Sequence, residues 1–213
     1  LSTKKELELI ARGKLLDKRI TAEACVHHLW FNRDDYDTKG AFIKWNPAVK
    51  DEEDRLALLE ALNNDTLDII ATDHAPHTLE EKTGIYTKTP SGGPLVQHSL
   101  TALMEFHLDN VLPITKMVEK ACHNPAKLFC VENRGFIREG YFADLVLVNP
   151  DSPWTVDKSN ILYKCGWSPF EGHTFRTQVS FAVLKQSQIG WALRLIERIS
   201  LQIQNFMHHV ILP

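Results

Sequence analysis

Residues 67–77 read LDIIATDHAPH, and this stretch decides the fold. Its first half is a short apolar run with β-branched residues, too brief for a helix, and it predicts a buried strand over Leu67–Thr72. Polar side chains follow at once, led by Asp73 and His77. In α/β folds the ligand-handling groups lie at this carboxyl end of a strand. A carboxylate there can bind a divalent metal or act as a general base, although an Asp that caps a turn is the ordinary alternative.

A second polar cluster follows an upstream strand. The alternating segment Ile20–Val26 predicts this strand, which ends at His27 and His28. Helices predicted over Thr3–Leu16 and Glu52–Leu62 complete an αβαβ order, which predicts parallel strands with both clusters at one end of the sheet. Because adjacent strand residues point to opposite faces, at most one of the two histidines faces a site, and a packing role is favoured over metal binding.

Two loops add candidate binding residues. The loop over residues 31–50 is long for a compact domain, and its Asn46 precedes a proline that favours an extended backbone. The side-chain amide of Asn46 is then able to meet a ligand, with an Asx turn as the alternative. The PSGGP loop contains Ser91 and Gly92, and glycines let a backbone approach a ligand closely. An ordinary turn explains that loop equally well.

The remainder of the chain divides by pattern. Apolar faces predict helices over Val96–Leu108 and Pro113–Cys122, so residues 1–134 form one α/β unit. Residues 135–184 change to a glycine turn followed by alternating hydrophobic residues, which predicts a small antiparallel unit. Residues 185–213 show helical spacing of Ile and Leu and predict an amphipathic helix with no evident link to what precedes it.

Composition excludes several classes of function. The 213 residues are 44% hydrophobic and 24% charged, an ordinary globular composition. The net charge of −3 and a pI near 6.4 give no basic excess, so neither nucleic acid nor a membrane surface is predicted as a partner. The four cysteines lack metal or disulfide spacing, and no leader or membrane-spanning run is found, which predicts a cytoplasmic location. The opening at Leu1, without Met and directly before a helix, predicts a piece of a longer protein.

Taken in order, several motifs resemble one known family. They are TAEACVHHL, KWNPAVK, IATDHAPHTLEEK, TPSGGP, HNPAKLF, GFIREGYFADLVLVN and GWSPFEGHTF. Together they resemble the C-terminal half of the class I dihydroorotases, members of the amidohydrolase superfamily, from Leu1 to about Phe181. The run TDHAPH with EEK downstream is the most specific part. Allantoinases and dihydropyrimidinases share the general pattern and remain the alternative.

The resemblance implies an α/β fold: the C-terminal half of a metal-dependent (β/α)8 barrel with part of a small β-sandwich. It implies an enzyme that interconverts N-carbamoyl-L-aspartate and L-dihydroorotate in pyrimidine synthesis, with one or two zinc ions as cofactor, and it leaves a homo-oligomer open. Asp73 matches the aspartate that binds metal and carries the proton of the attacking hydroxide. His77 matches the residue that holds the substrate carboxylate, and Asn46, Ser91 and Gly92 match contacts to the ring.

The departures from the family pattern limit what this chain does by itself. The family's other metal ligands precede the segment that Leu1 matches, and WNPAVK replaces MNPPLR, which leaves Lys50 as the basic residue of that motif. With one carboxylate and no cluster of three or four ligands, a tight zinc site is not expected. We therefore expect the isolated polypeptide to lack dihydroorotase activity. A non-catalytic dihydroorotase-like subunit is the alternative from a different class of function.

Overall fold

Two short parallel strands lie at the centre of the fold. The structure, a computed structural model, describes residues 1–188. Strand β1 (Glu23–Cys25) pairs in parallel with β2 (Ile69–Ala71), in a register that sets Cys25 opposite Ala71. The predicted order and direction are confirmed, but both strands are shorter than predicted. The first strand ends early because helix α2 (Val26–Trp30) begins directly after it.

Short helices account for most of the other regular structure in the described part of the chain. Besides α2 they are α1 (Lys4–Leu7), α3 (Tyr36–Lys39), α4 (Glu52–Asn63), α5 (Leu79–Lys82), α6 (Val96–Leu108), α7 (Ile114–Val118) and α8 (Asn124–Leu128). Turns of 3-10 helix cover Leu15–Asp17, Arg33–Asp35 and Gly40–Ile43, and a π-helical segment, Glu119–His123, joins α7 to α8. The helix predicted over 113–122 is therefore present, with its second half π-helical.

The first predicted helix is much too long. A capping box between Thr3 and Glu6 starts α1, which ends at Leu7 rather than near residue 16. Beyond it, Leu9 is 82% and Leu16 79% exposed, and none of Ile10, Ala11 and Leu15 is fully buried. A helix in water needs packing of its apolar face to persist, and that packing is absent here.

The two long helices follow their prediction closely. Helix α6 has the predicted bounds, and α4 extends one residue further than predicted. Leu58, Leu59 and Leu62 of α4 are buried, but Leu56 is 52% exposed. With 3.6 residues per turn, Leu56 lies about 120° round the helix from the centre of the buried face, which explains its exposure.

A buried aspartate fixes the start of β2 to its surroundings. Asp68 is 1% exposed, and its carboxylate accepts hydrogen bonds from Lys18 Nζ (2.8 Å) and from the backbone N–H of Ala22 (2.9 Å). Its carbonyl oxygen accepts a hydrogen bond from Asn124 Nδ2 at 2.8 Å. These contacts join the segment before β1 and helix α8 to the start of β2.

Beyond residue 140 the chain is antiparallel, as predicted. Strand β3 (Phe142–Asn149) pairs with β6 (Gln178–Gln188), and β4 (Trp154–Thr155) pairs with β5 (Thr174–Phe175). Phe175 of the β4–β5 pair belongs to the main hydrophobic core, whereas Ala143 of β3 forms a small cluster of its own with Tyr141 and Leu145. The division at residues 134/135 stays a prediction. Strand β6 continues four residues past the other predicted boundary, and residues 189–213, with most of the predicted helix, lie outside the described residues.

Among residues 1–188, no helix combines the length and the apolar composition that crossing a membrane requires.

Candidate functional site

Asp73 lies just beyond the carboxyl end of β2. It is exposed, and its φ of 46° turns the chain sharply after the strand. Within residues 1–188 its carboxylate makes no hydrogen bond, so it is open to solvent and to ligands. Its charge also affects Cys25, the last residue of β1. Burial, with smaller contributions from the charges of Glu23 and Asp73, raises the pKa of the Cys25 thiol to about 12.

His74 anchors this turn to the next helix. Its Nδ1 accepts hydrogen bonds from the backbone N–H groups of Leu95 (3.0 Å) and Val96 (3.3 Å), where α6 begins. The first N–H groups of a helix have no partner within the helix, and the imidazole supplies one. The sequence alone did not indicate this role for His74. Because His74 follows Asp73 directly, these bonds anchor the backbone turn after β2 to the start of α6.

His77 contacts the predicted ring-binding loop directly. Its Nε2 donates a hydrogen bond to the carbonyl oxygen of Ser91 at 3.0 Å, and its Nδ1 lies 3.6 Å from Glu81 Oε2. A capping box between Thr78 and Glu81 starts α5 and fixes that carboxylate. Trp167 Nε1 donates to the His77 carbonyl oxygen at 2.8 Å. His77 and Ser91, which are fourteen residues apart in sequence, therefore meet in space.

Close packing explains both glycines of residues 90–93, which we call the glycine loop. Gly92 has φ 119°, and a Cβ there would lie 2.4 Å from the carbonyl oxygen of Ala75. At Gly93 a Cβ would lie 2.8 Å from the Trp45 ring. The Gly93 carbonyl oxygen accepts a hydrogen bond from the Ala75 N–H at 3.2 Å. The glycine loop thus lies against the residues that follow Asp73, and only glycine permits so close an approach.

Asn46 lies two residues after a backbone contact with the glycine loop. It is exposed, and the Asn46–Pro47 peptide bond is cis. Two residues before it, the carbonyl oxygen of Lys44 accepts a hydrogen bond from the Gly92 N–H at 2.9 Å. Among residues 1–188 no hydrogen bond joins the Asn46 side chain to Asp73 or His77. The structure thus links Asn46 to the glycine loop through the backbone, and its contact with a ligand stays a prediction.

The two adjacent histidines are buried packing residues. They lie in α2 rather than in a strand, and both are buried. The His27 ring stacks on the Trp45 ring with centroids 4.3 Å apart, and His28 Nε2 donates to the Pro47 carbonyl oxygen at 3.1 Å. Burial lowers the pKa of both, that of His27 to about 2 with a smaller contribution from its neighbour. Through these contacts both rings support the segment that carries Asn46.

Two lysines beside the glycine loop were missed by the sequence analysis. Lys82 is 1% exposed, and its Nζ donates to the carbonyl oxygens of Gly92 (2.9 Å), Pro90 (3.0 Å) and Lys44 (3.4 Å). Lys44 Nζ donates to the carbonyl oxygens of Tyr86 (2.8 Å) and Thr89 (2.6 Å). Lysines are rarely buried, so sequence alone gives no reason to place Lys82 inside. The EEK run of the TDHAPHTLEEK motif was the only available signal.

The described residues do not by themselves form a metal centre. No group of three or more His, Cys, Asp or Glu side chains able to hold a metal ion is found in residues 1–188. Asp73 offers one carboxylate, whereas metal sites in proteins use three or more ligands. The donor set of the described chain is thus too small to fit a bound zinc ion without further ligands.

Comparison with known families shows which class of protein has this parallel strand pair, polar strand end and packed glycine loop. The sequence profile of the Amidohydrolase family matches residues 2–182. This match covers most of the chain, so the chain belongs to the amidohydrolase family. The predicted fold class is thereby confirmed: the chain has the mixed α/β fold of one part of an amidohydrolase barrel.

Within the amidohydrolase family, the chain is similar to curated proteins named dihydroorotase. Proteins named dihydroorotase are 40% identical over 153 residues in Halobacterium salinarum, 36% over 184 residues in Clostridioides difficile and 35% over 185 residues in Pyrococcus furiosus. These alignments cover 72%, 86% and 87% of this chain but only 36%, 43% and 42% of the relatives. The chain thus spans about two fifths of the length of the curated dihydroorotases that it matches. The resemblance found in the motifs is confirmed.

Solved structures of hydantoinases share the fold. An L-hydantoinase (dihydropyrimidinase) from Arthrobacter aurescens superposes with a TM-score of 0.78 at 26% identity, over 88% of this chain and 43% of the other. A dihydropyrimidinase from Brevibacillus agri gives a TM-score of 0.75 at 22% identity, with the same two coverages. At that identity the second comparison shows the fold alone.

Proposed function

We propose that this chain is part of a dihydroorotase, which hydrolyses the ring amide of L-dihydroorotate to N-carbamoyl-L-aspartate and catalyses the reverse cyclisation in pyrimidine synthesis. The observation that carries the proposal is the contact between the segment after β2 and the glycine loop, where His77 meets Ser91. The curated relatives, at 35–40% identity, support the choice of substrate. A small molecule is then the partner, and a cytoplasmic location and a homo-oligomer belong to the same proposal.

Asp73 is the proposed proton carrier of the reaction. Hydrolysis adds water to the ring carbonyl carbon, breaks the bond from that carbon to the ring nitrogen, and moves one proton from the water to the departing nitrogen. A carboxylate able to accept the proton from the water and return it to nitrogen fulfils both tasks. The support is the position of Asp73 at the carboxyl end of β2 with an unengaged carboxylate.

The proposal also includes a metal cofactor. We infer zinc, one or two ions, from the resemblance, with Asp73 as one ligand and the others supplied by residues outside the described part of this chain. When bound, zinc would polarise the amide carbonyl and lower the pKa of the attacking water.

Binding of the substrate is assigned to the surrounding residues. His77 is proposed to hold the substrate carboxylate, and Asn46 with the Ser91–Gly92 backbone to contact the ring. Since His77 Nε2 already donates to the Ser91 carbonyl oxygen, a bound carboxylate must meet the opposite ring nitrogen or displace that contact. Either way, substrate binding and the position of the glycine loop are coupled through this histidine.

The main competing function is hydrolysis of another cyclic amide. The similarity of fold to hydantoinases favours testing it, because the A. aurescens structure is 26% identical to this chain. Hydantoins and dihydropyrimidines lack the ring carboxylate of dihydroorotate. Discrimination between the substrates therefore depends on whether His77 meets a carboxylate.

One assay series tests the proposal. The full-length product of the gene, supplied with zinc, is assayed with dihydroorotate, hydantoin, dihydrouracil and allantoin. We expect turnover of dihydroorotate to exceed that of the other substrates by at least about 100-fold, because the other substrates lack the carboxylate that His77 would hold. We expect the 213-residue chain alone to show none. Preferred hydrolysis of hydantoin or allantoin would contradict the dihydroorotase assignment.

A substitution tests the role of Asp73. Asp73→Asn keeps the size of the side chain but cannot carry the proton, so we expect the kcat of the full-length product to fall about 100- to 10,000-fold. Asp37→Asn, in the exposed helix α3, is a matched control that changes an acid elsewhere in the chain. Activity near that of the wild type in Asp73→Asn would remove Asp73 from the mechanism.

A further inference from the structure

The glycine loop is held in place by a buried cation. Lys82 closes the short helix α5, and its ammonium group lies among three backbone carbonyl oxygens, those of Pro90 (3.0 Å), Gly92 (2.9 Å) and Lys44 (3.4 Å). An ammonium group has three protons, so all of its donors are used. It also lies 5.8 Å from the centre of the Trp167 ring. No carboxylate pairs with Lys82 in the described part of the chain, so its charge is balanced by these dipoles alone.

This burial is costly, and the contacts must offset the cost. Removal of an ammonium group from water lowers the pKa of Lys82 to about 8, because burial and the neighbouring Lys44 charge disfavour the protonated form. A lysine with a merely structural role on this surface could extend into solvent, as Lys88 of the same segment does. The polar environment around Lys82 is instead arranged to hold two of the four residues of the glycine loop.

The same loop carries the residues to which we assign the substrate ring. Gly92 is held from both sides, since its N–H donates to the Lys44 carbonyl oxygen at 2.9 Å and its own carbonyl oxygen accepts from Lys82. Ser91, between Pro90 and Gly92, accepts the hydrogen bond from His77. Helix α5 thus orients both partners, because its capping residue Glu81 faces His77 and its last residue binds the loop.

We propose that Lys82 is a positioning residue for substrate affinity: its ammonium group holds the backbone of residues 90–92 in the geometry that the substrate ring requires. This inference rests on the proposed function. Lys82 itself does not reach the substrate, since its protons are all taken up by carbonyl groups. A loop ordered before binding saves the entropy of ordering it on binding, so the effect falls on affinity.

The first test follows the loop itself. In Lys82→Met, made in the full-length gene product, we expect amide hydrogen exchange of Ser91, Gly92 and Gly93 to become at least about tenfold faster, since the loop opens more readily. Lys88→Met removes an exposed lysine from the same segment and is expected to leave these rates unchanged. If Lys82→Met does not fold, Lys82→Gln, which keeps an amide donor on a shorter side chain, must show the faster exchange. Unchanged exchange in the folded variant would overturn the inference.

The second test measures catalysis. For dihydroorotate we expect KM to rise about tenfold in Lys82→Met with kcat changed less than about threefold, the pattern of lost ground-state binding. A general loss of folded protein would instead lower the apparent kcat and leave KM as it is. Faster exchange with an unchanged KM would overturn the link to affinity. If the wild type does not turn over dihydroorotate, the proposed function fails, while the exchange rates still decide whether Lys82 holds the loop.

Discussion

At the scale of single residues, the candidate site combines the open carboxylate of Asp73 with two side chains that contact the glycine loop, His77 and Lys82. The sequence identified Asp73 and His77 because polar residues after a buried strand stand out from their surroundings. It did not reveal that His77 would contact Ser91, since that contact depends on the path of the intervening chain. It also missed Lys82, whose burial contradicts the usual behaviour of lysine. Residue types thus indicate what a site can do, whereas the supporting contacts require the fold.

The glycine loop gives a prediction about stability at this scale. In Gly92→Ala the new Cβ meets the Ala75 carbonyl oxygen at 2.4 Å, on a backbone with positive φ. Gly140→Ala is the matched control, because Gly140 also has positive φ (81°) but has no atom within 4 Å of the new Cβ. We expect the control to cost about 1–2 kcal/mol of unfolding free energy from backbone strain alone, and Gly92→Ala to cost clearly more. Urea unfolding measures the free energy of unfolding of both variants. Equal losses of this free energy would show that the loop adjusts to the new Cβ without a further energetic cost.

At the scale of elements, the two long helices and the parallel pairing were predictable and the ends were not. Helix α6 matched its predicted bounds because its apolar residues repeat over three turns and are buried. Strand β1 was predicted too long because Val26, an apolar residue of high strand propensity, begins a helix instead. Local preference gives way there to packing, since four of the five residues of α2 are buried. Element boundaries therefore depend on tertiary contacts that sequence patterns do not contain.

The buried ion pair before β2 is open to test at this scale. Lys18 and Asp68 are 3% and 1% exposed in their side chains, with Nζ 2.8 Å from Oδ1. Lys18→Met leaves the carboxylate buried without its cation, so we expect a loss of about 3–5 kcal/mol in unfolding free energy. Lys4→Met is the control, because the Lys4–Glu53 pair is exposed and we expect little change there. Chemical denaturation of both variants decides the point, and similar losses would contradict a special role for the buried pair.

At the scale of the whole molecule, the class of fold and the family were predictable from the motifs in order. The predicted placement of His27 and His28 at the end of a strand was wrong, because both lie in helix α2 and pack against Trp45 and Pro47. Their burial nevertheless agrees with the structural role that the sequence suggested. What sequence could not supply was the network that joins distant segments, such as the bonds from Lys82 and from Trp167 to the site.

Buried neutral histidines make the stability of the whole molecule depend on pH. Burial lowers the pKa of His27 to about 2 and that of His98 to about 4, against 6.5 for an unperturbed histidine. Between pH 6.5 and 4 the unfolded chain therefore binds more protons than the folded one, so stability falls as the pH falls. We expect a flatter dependence in His98→Gln, measured as unfolding free energy from pH 7 to pH 4. An unchanged slope would show that His98 does not contribute.

The raised pKa of Cys25 has a practical consequence for labelling experiments. The thiolate is the form that attacks alkylating reagents, and at pH 8 it is almost absent for a thiol with a pKa of about 12. Cys122 and Cys130 are both exposed, but burial raises the pKa of the Cys122 thiol, so we expect Cys130, at a position beyond helix α8, to be alkylated first. A fluorophore attached there would label the protein outside the segments that carry Asp73 and the glycine loop.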